Sequence, residues 1–194
     1  MADLTKSPDA ALAGLGELAA RRGPAPVHLW NPPDCGDIDM RIAADGVWHY
    51  CGSPIGRPAL VRLFASILRK DGDRFCLVTP VEKVGVKVDD APFLAVEMRV
   101  GSSERGQALT FRTNVDDEVA VDDEHPLRFE PGAADGLKPY VRVRGDLWAL
   151  VKRALFYDLV ALGVCERSGG ASWFGVRSGG VFFPMCPASE IEGL

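Results

Sequence analysis

"AADGVWHYCGSPIGRPALVR", Ala43 to Arg62, aligns without a gap on "AADGLKPYVRVRGDLWALVK", Ala133 to Lys152. Both stretches open on Ala-Ala-Asp-Gly, set a tyrosine four residues after the glycine, and end on Ala-Leu-Val followed by a base. In the first, Asp45-Gly46 is a strong hairpin signal between strands expected at Asp39 to Ala43 and Val47 to Cys51. The segment behind it, "RPALVRLFASILRK", reads as a helix. Leu60, Leu63, Phe64, Ile67 and Leu68 fall at i, i+3, i+4, i+7 and i+8, one apolar face, with Arg62, Arg69 and Lys70 elsewhere. Carried to the second stretch, the same pattern predicts one long helix over "DLWALVKRALFYDLVALG", with Asp146 as N-cap and Gly163 at C′. Two strands follow the helix in each copy. The period of 90 residues therefore implies a duplicated α+β fold, hairpin, helix, strand, strand, twice.

Outward from that repeat, Ser7-Pro8 predicts a capped N-terminal helix to about Arg22, broken by "GPAP" at Gly23 to Pro26. From Asp71 short β-rich runs separated by turn residues suggest an antiparallel meander, with "SSERG" as a hairpin loop. "SWFGVR" and "VFFPM" read as the last two strands, on either side of Ser178-Gly179-Gly180. The expected division is an N-terminal α+β domain, 1–82, and a larger β-rich C-terminal domain, 83–194.

Composition narrows the function classes. A chain of 194 residues, 47% hydrophobic and 25% charged, has the make-up of a soluble globule able to bury a core. Its net charge of −5 is the wrong sign for coating nucleic acid, but local arginines can still hold a small anion. Five cysteines stand singly with no C-x-x-C pair, so neither a disulfide framework nor a structural zinc is expected. The N-terminus lacks a signal-peptide pattern, and no apolar run is long enough to span a membrane. The expectation is a cytoplasmic protein with no cofactor and no metal.

The densest polar chemistry is "WNPPDCGDIDMRI", Trp30 to Ile42. Asn31 and Cys35 sit in its loop, and Asp37, Asp39 and Arg41 alternate on one strand face opposite Ile38, Met40 and Ile42. Asp-x-Asp suits a hard cation, but Arg41 on the same face opposes one, and the EF-hand pattern fails. The plainer reading lets aspartates cap turns beside Pro32, Pro33 and Gly36. Ser53, Gly56 and Arg57 stand where the first helix begins, and a helix N-terminus offers free N–H groups to a phosphate. Lys83, Arg112, Asn114, Arg177 and Ser178 complete the candidate anion binders, each also readable as surface charge or turn. Cys35 with His49 is a weak thiol-enzyme candidate, since no nucleophile motif surrounds either.

Several of these motifs go together. "HLWNPPDCGDIDMRI", "DGVWHYCGSPIGRPALVRLFASIL", "LVTPVEKV", "APFLAVEM", "LTFRTNVDDEV" and "SGGVFFP" resemble an uncharacterised bacterial family catalogued only as a domain of unknown function, from about Val27 to Pro187. The resemblance implies a duplicated α+β core, a C-terminal half superficially like a pleckstrin-homology fold, and a nucleotide-like ligand held between the halves in signalling. It also implies an aromatic residue where this chain has Asp34. The leading expectation is thus a non-enzymatic regulatory protein that binds a nucleotide-like or other phosphorylated ligand at the interdomain cleft. A protein-interaction adaptor using the C-terminal half is the alternative, and a thiol or carboxylate enzyme the third. Expected partners are a small anionic ligand and a protein, with no nucleic-acid polymer.

Overall fold

The structure, a computed structural model, describes residues 24–133 and 136–191, so the helix expected between Ser7 and Arg22 lies outside the described residues. Two compact units divide the chain after Asp89, with the turn Ala44–Gly46 belonging to the second unit. The boundary is not at Glu82. "KVGVKV" forms a strand paired on both sides within the first unit, and cutting there would remove a central strand from its sheet.

The first unit is a six-stranded sheet: β1 (Asp34–Ile42), β2 (Trp48–Tyr50), β3 (Ser53–Pro54), β4 (Leu68–Asp71), β5 (Arg74–Val78) and β6 (Lys83–Val88). A helix, α1 (Pro58–Ser66), lies between β3 and β4. Proline at its first position has the fixed φ that a helix start needs, and Arg57 before it is extended. The helix stops four residues short of the expected end. Ile67 caps it and Leu68 begins β4, because apolar residues at 67 and 68 serve a buried strand as well as a helix face. Trp48 on β2 stacks on Phe64 of α1, ring centroids 6.3 Å apart, over Met40, Ile42 and Leu68 in the core.

The second unit holds another six strands: β7 (Phe93–Ser103), β8 (Gly106–Thr113), β9 (Glu118–Ala120), β10 (Leu127–Pro131), β11 (Leu137–Arg144) and β12 (Leu147–Val151). After them come α2 (Arg153–Ala161) and a three-stranded antiparallel sheet of β13 (Val164–Ser168), β14 (Ala171–Ser178) and β15 (Val181–Pro187). The single meander expected from Asp71 is divided between two sheets, β5 and β6 in the first unit and β7 to β10 in the second. Among the described residues no helix is long and apolar enough to cross a membrane.

The duplication is real, but not in the register the sequence repeat suggests. The sheet orders are β3-β2-β1-β6-β5-β4 and β10-β11-β12-β7-β8-β9. Read from the other end, the second is the first with every number raised by six. In each, two three-stranded antiparallel ribbons join through one parallel pair, β1 with β6 and β7 with β12. The Ala-Ala-Asp-Gly motifs fall at different places in this plan, the first between β1 and β2, the second in the connection from β10 to β11. Ala59-Leu60-Val61 is helix, whereas Ala149-Leu150-Val151 is strand. β12 lies between β11 and β7, so it is covered on both sides, and its apolar run mimics a helix face. The residue at the N-cap of α2 is Lys152, and Asp146, before β12, accepts a hydrogen bond from Trp148 Nε1 at 3.0 Å. Gly163 does follow the end of α2, where a Cβ would collide with the Phe174 ring.

Candidate functional site

The polar stretch at the start of β1 is a lattice of ion pairs. Arg74 on β5 donates to Asp37 Oδ1 from Nε at 3.0 Å and from Nη2 at 2.6 Å, and also binds Asp34. Lys83 on β6 stands 3.1 Å from Asp71 and 3.9 Å from Asp34. Arg69 on β4 holds both carboxylate oxygens of Asp71, at 2.7 and 2.8 Å, and donates to the carbonyls of Val27 and Trp30. Three acids and three bases alternate, so their charges cancel. Arg74 is the principal cause that lowers the Asp34 pKa, and Arg69 the principal cause at Asp71. Gly85 makes room for the lattice. A Cβ there would lie 2.0 Å from Asp37 Oδ1 and 2.5 Å from Arg74 Nε.

Asp34 also accepts the Gly36 N–H at 2.9 Å, where a bulge interrupts the β1–β6 register. It is a turn cap and a lattice member together. Arg41 pairs with Asp89. Its Nε lies 2.9 Å from both Asp89 oxygens. The Arg41 side chain is 51% exposed, so Arg41→Ala is expected to change unfolding free energy by no more than about 1 kcal/mol in urea titrations. A loss of several kcal/mol would show that the pair carries the sheet.

The remaining candidates have settings of their own within each unit. Asn31, Asp39, Ser53, Gly56 and Arg57 are exposed, and Arg57 has no ion pair among the described residues. Cys35 and His49 do not meet, because His49 pairs with Arg41, six residues along β1 and about 20 Å from Cys35 by strand rise. Arg112 is held by Glu97 and Asp116, and Arg177 by Glu166. Asn114 fixes the start of β7, accepting from Leu94 N–H at 3.0 Å. Ser178 is fully buried and pins β14 to β8, while Gly179 beside it, at φ +59°, has its Cβ position 3.0 Å from the Val121 carbonyl.

The second unit contains a cavity of about 720 Å³ that none of these residues lines. Leu94, Leu137, Pro139, Leu150, Val151 and Phe156 give it carbon walls, and Asp45, Lys138, Lys152, Arg153 and Tyr157 its polar groups. Lys152 and Arg153 come from the joint where extended backbone at Lys152 turns into the first residue of α2. Arg153 Nε donates to the Tyr157 hydroxyl at 2.9 Å, and Lys138 binds Asp90 at 2.6 Å. Sequence reasoning missed the Lys-Arg pair because one continuous helix placed it mid-helix rather than at a helix start.

Asp90 behind this wall shows how the charges are balanced. Burial pushes its pKa up, but hydrogen bonds from Lys138 and the Tyr140 hydroxyl, at 2.6 and 2.7 Å, outweigh it and the net shift is downward. A lowered folded pKa adds stability above the ordinary carboxylate range near 4 and loses it as pH falls through the folded value. Acid titration of unfolding should therefore show a step below about pH 4 that Asp90→Asn removes. An unchanged acid limb in that variant would contradict the assignment.

No curated protein matches the chain. The crystal structure of a DUF1285 family protein from Silicibacter pomeroyi DSS-3 is 53% identical, covering 92% of this chain and 98% of that one, with a TM-score of 0.82. That of a DUF1285 family protein from Shewanella baltica OS155 is 29% identical, covering 64% of this chain and 91% of that one, with a TM-score of 0.52. The N-terminal domain of unknown function DUF1285 matches residues 25–91, and the DUF1285 C-terminal domain, also of unknown function, matches residues 92–185. With both domains present in order and a 53% identical relative matching over nearly its whole length, the chain belongs to the DUF1285 family.

Proposed function

We propose that the protein is a non-enzymatic regulatory protein of the cytoplasm that binds a phosphorylated small ligand, nucleotides among the candidates, in the cavity of its second unit. One observation carries this reading: consecutive cations, Lys152 and Arg153, at the start of a helix beside a concave apolar wall. The cations and the first-turn N–H groups suit a phosphate, and the carbon walls suit the body attached to it. The first unit's lattice supports the reading from the other side, since its three bases already face three acids. The preponderance of antiparallel pairing in the second unit also supports the suggested likeness to a pleckstrin-homology fold.

A thermal-shift screen with AMP, cyclic dinucleotides, pyrophosphate and sugar phosphates tests this, because a ligand that binds only the native state raises apparent stability. The Lys152→Glu/Arg153→Glu variant is expected to lose any rise while melting near the parent. A rise retained in that variant would place the ligand elsewhere.

A second reading, a protein-interaction adaptor, is favoured by one feature. Tyr157, Val160 and Val164 are 58%, 40% and 44% exposed in succession along α2 and into β13.

A further inference from the structure

We infer that the ligand of this cavity is an amphiphilic anion, a phosphate or carboxylate head on an aliphatic body, rather than a nucleotide; this rests on the anion-site reading above. A nucleobase presents donors and acceptors along its edge, and burying them unmatched is unfavourable. A pocket built for a base therefore keeps polar groups free to meet that edge. Here the Tyr157 hydroxyl already accepts from Arg153, Lys138 is held by Asp90, and Asp45 has a partner of its own. Among the described residues the one buried side-chain polar atom without a partner is Trp48 Nε1, which belongs to the first unit.

What the cavity does offer is hydrocarbon: Leu94, Leu150 and Phe156 contribute surface that an alkyl chain can cover with no hydrogen bond to satisfy. Of the charged groups in the lining, Lys138 is held by Asp90 and Asp45 comes from the turn before β2, while two consecutive cations come from one place. Lys152 and Arg153 are adjacent in sequence where α2 starts, and the helix of nine residues has its first free N–H groups at the same place. An apolar wall with two adjacent cations beside it matches a charged head on a hydrocarbon body. A nucleotide, polar in its base as well as its phosphate, matches the cations only.

Isothermal titration of the full chain with butyl, hexyl and octyl phosphate, with octanoate, and with AMP, all below micellar concentrations, tests the inference. Affinity is expected to rise at least about threefold with each two-carbon step, given the transfer free energy of a buried methylene. Octanoate should bind through the same cations, and AMP should bind more weakly than octyl phosphate. Lys152→Gln/Arg153→Gln, which keeps the side-chain stems, should weaken octyl phosphate at least tenfold. Tight AMP binding with no dependence on chain length would overturn the amphiphile and leave the anion site standing. Absence of binding by every probe would overturn both. Octyl phosphate binding that survives the double substitution would be unspecific adsorption and would overturn the inference.

Discussion

Trp48→Ala is expected to lower the unfolding free energy by about 3–5 kcal/mol, the largest single loss from the first unit. The indole is 1% exposed, set on β2 opposite Ile42 and stacked on Phe64, so its removal opens a cavity at the joint between sheet and helix. Trp48→Phe separates packing from polarity. It keeps an aromatic ring over Phe64 and deletes an indole N–H that has no partner among the described residues. A stranded donor costs about 1–3 kcal/mol, which offsets much of the lost volume, so Trp48→Phe should lie within about 1 kcal/mol of the parent. Urea unfolding followed by far-ultraviolet circular dichroism gives both values. If phenylalanine proves as damaging as alanine, the indole nitrogen is satisfied and the packing account is wrong.

The second large effect is Ser178→Ala, expected to cost about 2–4 kcal/mol because two buried backbone groups lose their partner at once. Ser178 Oγ accepts the Leu109 N–H at 2.9 Å and donates to the Val121 carbonyl at 2.7 Å, with the side chain fully buried. It thereby ties the three-stranded sheet to β8 within the second unit. Amide hydrogen exchange adds a local readout, since Leu109 should exchange faster in the variant. A loss below about 0.5 kcal/mol with unchanged exchange at Leu109 would show that the hydroxyl is replaceable there.

Both residues show what was legible in the sequence and what was not. Trp48 stands on a strand expected after Asp45-Gly46, and that hairpin formed as the turn residues predict. Ser178 beside two glycines looks like a turn flanking a ligand. Its role depends on β8, some seventy residues earlier, and no local pattern carries that distance. The α+β class, the hairpins at Ser103–Gly106 and Ser178–Val181, and the existence of a duplication were readable. The equivalence of strands was not, because sheet order is set by long-range pairing while Ala-Ala-Asp-Gly recurs only as a local motif. The same limit governed the site. Asp34, Asp37 and Lys83 were visible as charges, but their neutralisation by Arg69, Asp71 and Arg74 depends on the strand order β1-β6-β5-β4. The Lys152-Arg153 pair was hidden by reading a central strand and the helix after it as one helix.

The anion site is proposed at the start of α2 in the second unit, with the polar start of β1 structural. Amide chemical-shift mapping of the isotope-labelled chain, titrated separately with octyl phosphate and AMP, separates the two regions. Saturable shifts are expected at Leu150 to Phe156 and Leu94, with the amides of Asp34 to Arg41 and of Arg57 unmoved. Shifts concentrated at Asp34 to Arg41, or at Ser53 to Arg57, with Lys152 and Arg153 silent, would contradict that placement.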